Sequence, residues 1–241
     1  NNAASATYAT IGGGFMQTAA GNYSSIGSGQ NNTINTGATH GSIGSGQNNT
    51  INTGATHGTI GSGQNNTIDT GATHGTIGGG RSNTVSAIYA FIGGGRSHVA
   101  SAAYAVIGGG QTNTASATHC IIAGGATNTA AAIYSSIGGG LTNVINTGAT
   151  HSTIGGGNLN TIALNNTYAL IGGGQSNTVN GTYGVVVGGR GNTVSATYAF
   201  IGGGQSHAAS AAYAVIGGGQ GNTASAAHST VAGGFGAIAS A

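Results

Sequence analysis

The sequence predicts an all-β chain, a parallel β-solenoid (β-roll) of about 15 coils of 15 or 17 residues, and three observations carry that prediction. The first is a repeat. Ile-Gly-Gly-Gly, as at residues 92–95, or a close variant begins at Ile11, Ile26, Ile43, Ile60, Ile77, Ile92, Ile107, Ile122, Ile137, Ile154, Ile171, Val186, Ile201, Ile216 and Val231. The step is always 15 or 17 residues, which is too short for a helical repeat and suits two short strands and two turns. The second is that residue types recur in fixed columns when the coils are stacked. The third is composition: 52 of 241 residues are Gly, Pro and Trp are absent, and only three Arg and one Asp carry charge, where an ordinary domain is about a quarter charged. The strict placement of Ile, Val and Ala separates such a chain from a disordered one.

With the repeating Ile as the anchor, each column has a definable job. The residue eight beyond it is apolar in every coil, as in Ile34, Ile51, Val85, Ala115 and Val194, and with the anchor it supplies the core. Strand alternation then points the sixth residue inward and the seventh and ninth outward. The sixth is Asn at Asn32, Asn49, Asn66, Asn83, Asn113, Asn128, Asn143, Asn160, Asn177, Asn192 and Asn222, with His98 and His207 among the replacements. An inward Asn at a corner can satisfy the backbone groups that a tight bend strands. The seventh is mostly Thr, such as Thr33, Thr84 and Thr193, and the ninth mostly Ser or Asn.

Three residues before each anchor stands a ring without exception: Tyr8, Tyr23, His40, His57, His74, Tyr89, Tyr104, His119, Tyr134, His151, Tyr168, Tyr183, Tyr198, Tyr213 and His228. One coil apart, such rings form a ladder. The next column is always small, and Cys120 falls in it as a small buried side chain. The three positions after the anchor hold 39 Gly of a possible 45. Two readings stay open for this triplet: turn geometry, or a bare seam against which another chain packs.

Longer order overlies the columns. The 17-residue coils carry Asn-Thr-Gly-Ala-Thr-His, as at residues 35–40 (with Asp69 for the Asn in one coil), or Leu-Asn-Asn-Thr-Tyr at residues 164–168, and their two extra residues are expected to bulge outward with the core register intact. Ile11, Ile122 and Val231 begin equivalent seven-coil blocks, 111 and 109 residues long, so residues 1–241 read as a single solenoid array of two super-repeats and the start of a third. The pattern stops at Ala241 without a polar cap, so a segment of a longer protein is expected.

Little here does chemistry. Paired-carboxylate catalysis needs two acids, and Asp69 stands alone in a column where sister coils carry Asn35 and Asn52. Arg81, Arg96 and Arg190 sit four beyond their anchors, where most coils carry Gln, and read as solvated rungs of a polar ladder. Fifteen Gly-rich turns without a Lys do not make a nucleotide loop, and Gly without repeated Asp does not make a calcium roll. His40, His57 and His74 lack a carboxylate or thiolate to complete a metal site. No enzyme, cofactor or metal is expected. A net charge of +2 with no basic stripe argues against nucleic acid, and no apolar run reaches the length of a membrane span. The six Asn-x-Ser/Thr acceptors, such as Asn22 and Asn180, arise by chance in a chain so rich in Asn and Thr.

The motif Gly-Gly-Gly-Gln-Ser-Asn-Thr-Val-Ser-Ala-Thr-Tyr, carried in overlapping pieces by residues 172–179 and 192–198, resembles the head repeats of trimeric autotransporter adhesins of the YadA-like type. Phage tail fibres carry similar repeats. The resemblance covers nearly the whole chain, though no stalk, anchor or chaperone domain accompanies it. It implies a left-handed roll, three chains side by side, and a cell surface or virion surface from which host matrix, glycans or other cells are bound.

Two functions follow. The leading one is structural: an extracellular fibre or filament, self-associating as a homotrimer or fibre of like chains and adhesive. The column just before the anchor supports it, being Phe91, Val106 and Ile121 in one block and Leu170, Val185, Phe200 and Val215 in the next, but Ser or Thr in most other coils. If these side chains point outward they form a self-association patch every seven coils, about 34 Å at the usual strand spacing; a bend could instead tuck them under a loop. The alternative is an ice-binding solenoid using the outward Thr-x-Ser/Asn face, against which Val99, Val144 and Ala208 interrupt the Thr column.

Overall fold

The computed structural model describes residues 1–240. Among them the chain is all-β, a parallel β-solenoid of about 16 turns without a helix, so no helix is long and apolar enough to cross a membrane. It divides into two compact units, Asn1–His119 and a second that starts at Cys120. In the first, two-residue strands alternate between two sheets, one running from Ala3–Ala4 through Thr33–Ile34 to Thr114–Ala115, the other from Thr10–Ile11 to Val106–Ile107. The second unit repeats the plan, with Ile121–Ile122 to Thr230–Val231 in one sheet and Thr129–Ala130 to Ile238–Ala239 in the other.

All strand pairs are parallel and column sits on column. Ile34 pairs with Ile51 and Ile43 with Ile60 across 17-residue coils, and Ile92 pairs with Ile107 across a 15-residue one. Both core columns are sealed: Ile34, Ile43, Ile51, Ile60, Ile162 and Ile171 are all fully buried. Outward Thr and inward Ile or Val in strands such as Thr67–Ile68 give the alternation that the sequence reading requires.

Two details depart from the sequence expectation, and a third bears on a choice the sequence left open. Each coil has a third contact line besides its two strands, a single-residue parallel bridge at the Gln and Arg column, as in Gln30↔Gln47↔Gln64 and Gln175↔Arg190. The two extra residues of the long coils do not simply bulge outward, because Ala38, Ala55, Ala72 and Ala149 are fully buried. In the first unit a Gly stands opposite: a Cβ on Gly41 or Gly58 would lie 3.1 Å from the carbonyl of Ala38 or Ala55, so the small column shrinks to Gly where the loop sends an Ala inward. Finally, the Gly triplet is mostly consumed within the chain. A Cβ on Gly27 (first place) or on Gly29 (third place, φ 110°) would strike the carbonyl of the next coil, whereas one on Gly13 (second place) would meet nothing. The middle Gly has open space for a side chain, and there Ser28, Ser45 and Ser62 are accepted; the first Gly place is exposed too, and takes Ala123, Val187 and Ala232 in three coils.

The backbone explains why Asn recurs. Strand N–H groups bond forward to the next coil, as Thr33 to the Asn49 carbonyl and Asn35 to the Ile51 carbonyl. The residue before each Asn has left-handed φ, 54° at Asn31 and 56° at Ser176, and its N–H turns back, that of Asn48 bonding the Gln30 carbonyl. The Asn N–H turns back as well and finds a side chain: Asn49 N–H donates to Asn32 Oδ1 at 3.0 Å, while Asn32 Nδ2 donates to the Gly46 carbonyl at 2.8 Å. Each Asn thus satisfies a buried donor that the bend would orphan, and its amide also reaches the middle-place carbonyl of its own coil, as Asn32 Nδ2 reaches Ser28 at 3.3 Å. The predicted Asn ladder is fully buried at every rung from Asn32 to Asn222.

Candidate interaction faces

The column before the anchor forms one outer sheet face. In the second unit Leu170, Val185, Phe200 and Val215 pair in direct succession, Leu170↔Val185, Val185↔Phe200 and Phe200↔Val215, each opposite an inward anchor. Leu170 and Phe200 are 38% and 37% exposed, so no loop covers them. In the first unit Phe91 pairs with Val106 in the same column, and Phe91 is 40% exposed; Ile121, in the second unit, is exposed beside Ser136. The phenyl rings lean over their own coil's bare Gly, since Cε1 of Phe91 and of Phe200 lies 3.5 Å from where a Cβ would stand on Gly93 and Gly202. This widens the strip.

Val187 joins this face unannounced. It occupies the first Gly place of its coil, two residues beyond Val185 and therefore on the same outer side, and is 51% exposed. A column otherwise almost all Gly makes one Val conspicuous, and that was the signal available in the sequence. Other coils carry hydroxyls on this face, Thr10, Ser25, Ser42, Thr59 and Thr76 in the first unit, where Ser25 Oγ and Ser42 Oγ are 3.3 Å apart.

The opposite sheet presents Thr. Thr18, Thr33, Thr50, Thr67 and Thr84 pair without interruption before Val99 breaks the line. Beside them Asn35 Nδ2 donates to Asn52 Oδ1 at 3.0 Å and Ser86 Oγ to Asp69 Oδ2 at 2.7 Å, so the single acid is tied into this row.

The ring ladder forms one edge of each unit. From Tyr8 to His119 successive rings stack at 4.7–5.1 Å, and from Tyr134 to His228 at 4.7–5.0 Å. All of these rings are exposed at their edges, and their faces are taken by neighbours. His40, His57 and His74 are parallel within 3°, so their in-plane lone pairs run side by side and do not converge on one ion. No cluster of three or more potential metal ligands occurs among the described residues. Every ring residue has left-handed φ, 59° at Tyr23 and 57° at His57. Its N–H turns back to the previous coil, as Tyr23 to the Thr7 carbonyl, which offsets that backbone cost.

Two buried histidines replace Asn. His98 Nδ1 accepts from Asn113 N–H and His207 Nδ1 from Asn222 N–H, both at 3.0 Å, which puts the proton of each neutral ring on Nε2. That Nε2 is buried without a partner in both. Burial holds His98 below the ordinary histidine value of 6.5. Cys120 is buried in the small column.

The third contact line carries the positive charge. Arg81 and Arg96 are bridged on adjacent rungs, and with Ser82 and Ser97 they line a concavity of about 290 Å³. Two guanidinium charges a rung apart repel by on the order of 1 kcal/mol in water. Arg190 lies instead between Gln175 and Gln205.

Neither a protein-family model nor a curated protein sequence matches this chain.

Proposed function

We propose that the chain is a structural repeat protein, part of an extracellular fibre or filament on a cell or virion surface, which associates with like copies and adheres to other cells, surfaces or their glycans. The observation that carries this reading is the contiguous outward strip of Leu170, Val185, Phe200 and Val215, extended by Val187. Exposed contiguous apolar surface on a β-sheet is unfavourable in water and is relieved by a second apolar face. A second copy is the partner this surface supports: the strip is flanked by Gly and bears no charge that would select an unlike surface. The resemblance to adhesin head repeats supports the same reading and adds a trimer and a left-handed coil to it. The reading is structural and not enzymatic; in its support, the one acidic side chain, Asp69, has no second carboxylate with which to carry out paired-carboxylate chemistry.

The test is assembly of the double variant Val185→Thr and Phe200→Thr. Sister coils already carry Thr in this column at Thr153 and Thr230, so the coils tolerate it. Sedimentation and electron microscopy of the parent chain are expected to show assemblies of uniform width, and the variant to fall to single chains. A monomeric parent, or a variant that assembles as well as the parent, refutes the reading.

Ice binding is the second reading, and the unbroken run from Thr18 to Thr84 favours it. The parallel ladder spaces these hydroxyls evenly at the strand repeat. Thermal hysteresis of the isolated chain decides: a measurable value that Thr50→Val and Thr67→Val abolish together establishes it, and none excludes it.

A further inference from the structure

We propose that Arg81, Arg96, Ser82 and Ser97 form a binding site for a tetrahedral oxyanion, the phosphate or sulfate group of a small ion or of a sugar ester. The argument starts from the rung chemistry. A Gln rung can satisfy its neighbour, because each amide has a donor and an acceptor, as where Gln64 Nε2 donates to Gln47 Oε1 at 3.1 Å. An Arg rung cannot, because guanidinium has five donors and no acceptor. Where Arg81 and Arg96 stand on adjacent bridged rungs, each has a Gln on its far side only, Gln64 or Gln111, and the ladder supplies no acceptor between the two forks of donors.

Geometry and charge then select the class of acceptor. Parallel bridging holds the two Arg backbones one coil apart, about 4.8 Å, a spacing at which two guanidinium forks can share one group with several terminal oxygens. Ser82 and Ser97 follow their arginines in the left-handed corner, φ 57° and 58°, and line the same concavity, adding two hydroxyl donors. The chain supplies no competing anion here, as Asp69 is its only acidic side chain and is hydrogen-bonded to Ser86 on the Thr-bearing side of the coil. Arg190 is the built-in control. It has Gln on both sides, whose amide oxygens are acceptors, and Gly191 in place of the serine, so it lacks the second charge and the hydroxyl. This inference stands independently of the fibre reading.

The experiment uses the whole chain, labelled so that the Nε–H signals of the three arginines are resolved, and titrates inorganic phosphate, inorganic sulfate and chloride at constant ionic strength. Holding ionic strength fixed removes the general screening that any surface charge feels. Saturable shifts are expected at Arg81 and Arg96 with phosphate and sulfate, with Arg190 and the chloride titration flat. Arg96→Gln restores the rung that sister coils carry at Gln30, Gln47 and Gln111, so it folds, and it is expected to weaken binding by about tenfold or more through the lost charge-assisted bonds. Repeating the titration with a sulfated oligosaccharide separates the sources. Similar affinity per sulfate assigns the site to the free ion, and affinity higher by about tenfold or more assigns it to a sugar-borne group. Equal response at Arg190, unsaturable shifts, or unchanged affinity in Arg96→Gln overturns the proposal.

Discussion

Replacing Asn160 by Ala tests the polar interior of the coil most directly. Asn160 Oδ1 accepts the N–H of Asn177 at 3.0 Å, and its Nδ2 donates to the carbonyls of Gly156 at 3.0 Å and Gly174 at 2.9 Å. The Gly174 carbonyl keeps a second donor, the N–H of Asn158 at 2.9 Å, so it is not orphaned. The Gly156 carbonyl belongs to the middle Gly of its triplet, which is only half-buried. The Asn177 N–H is buried and has no other acceptor, so it bears the full cost of an unmade bond, about 1–3 kcal/mol. With the volume lost beside it, Asn160→Ala is expected to cost roughly 3 kcal/mol, a large share of a typical total of about 5–15 kcal/mol. The fold supplies its own comparison, since His98 fills an equivalent place and keeps the acceptor through Nδ1. Asn160→His should therefore be the milder change. Urea midpoints give the order, and hydrogen exchange at Asn177 localises it, because solenoid stability is a sum over neighbouring coils. If Asn160→Ala falls within about 0.5 kcal/mol of the parent, or if Asn160→His is the more damaging, the ladder argument is wrong.

Acid should weaken the first unit through His98. Its folded value lies below 6.5, so below pH 6.5 the unfolded chain takes up a proton that the folded chain refuses; stability is whole above that pH and falls as pH drops, by up to about 1.4 kcal/mol per unit. Denaturation between pH 7 and pH 5 should show this fall, and His98→Asn should remove its part of it. Gly157→Ala places a Cβ against the Gly174 backbone at φ 92° and should destabilise by about 2 kcal/mol or more, whereas Gly156→Ser should be neutral within about 0.5 kcal/mol; thermal melts separate the two. Tyr183→Ala should lose about 0.5–1.5 kcal/mol of stacking against Tyr168 and Tyr198. Tyr183→Gly should be the more stable of the pair because it is free of the left-handed cost at φ 56°, and equal melting temperatures would exclude strain there.

Much of this fold was legible because a solenoid repeats each decision about fifteen times in one chain. Column averaging exposed the Asn ladder, the ring ladder and both core columns. The backbone turns were hard to read, since many left-handed corners are filled by Ser82, Thr127 or Leu159, residues that do not announce such a conformation, although Asn31, Asn48 and Asn65 in the same column do. Gly191, Gly221 and Gly236 in that same column were a further hint, three permissive residues at one place. The third contact line escaped for a related reason. A Gln or Arg column describes side chains in water, while the bridge beneath it is made by N–H and carbonyl groups that every residue has. The inward Ala of the long coils was hidden by length alone, as two added residues look like a bulge until Gly41 and Gly58 are seen to yield space to Ala38 and Ala55.

Comparison among coils also separates what the fold requires from what it permits. Anchor, Asn and ring columns barely change, and each has a structural reason not to. The outer column changes freely between hydroxyl and large apolar residues while its register is untouched: Thr76 pairs with Phe91, and Thr153 with Leu170, in the same ladder geometry. Folding therefore does not demand Phe or Leu there, and in water it is served as well by Thr. The apolar members nonetheless occur in runs, Leu170 to Val215 being unbroken, and the one bulky residue in the first Gly column, Val187, falls within that run on the same face. Apolar residues gathered where packing within the coil does not call for them are best accounted for by packing against something else, and that is the ground on which we propose this strip as the contact between like chains.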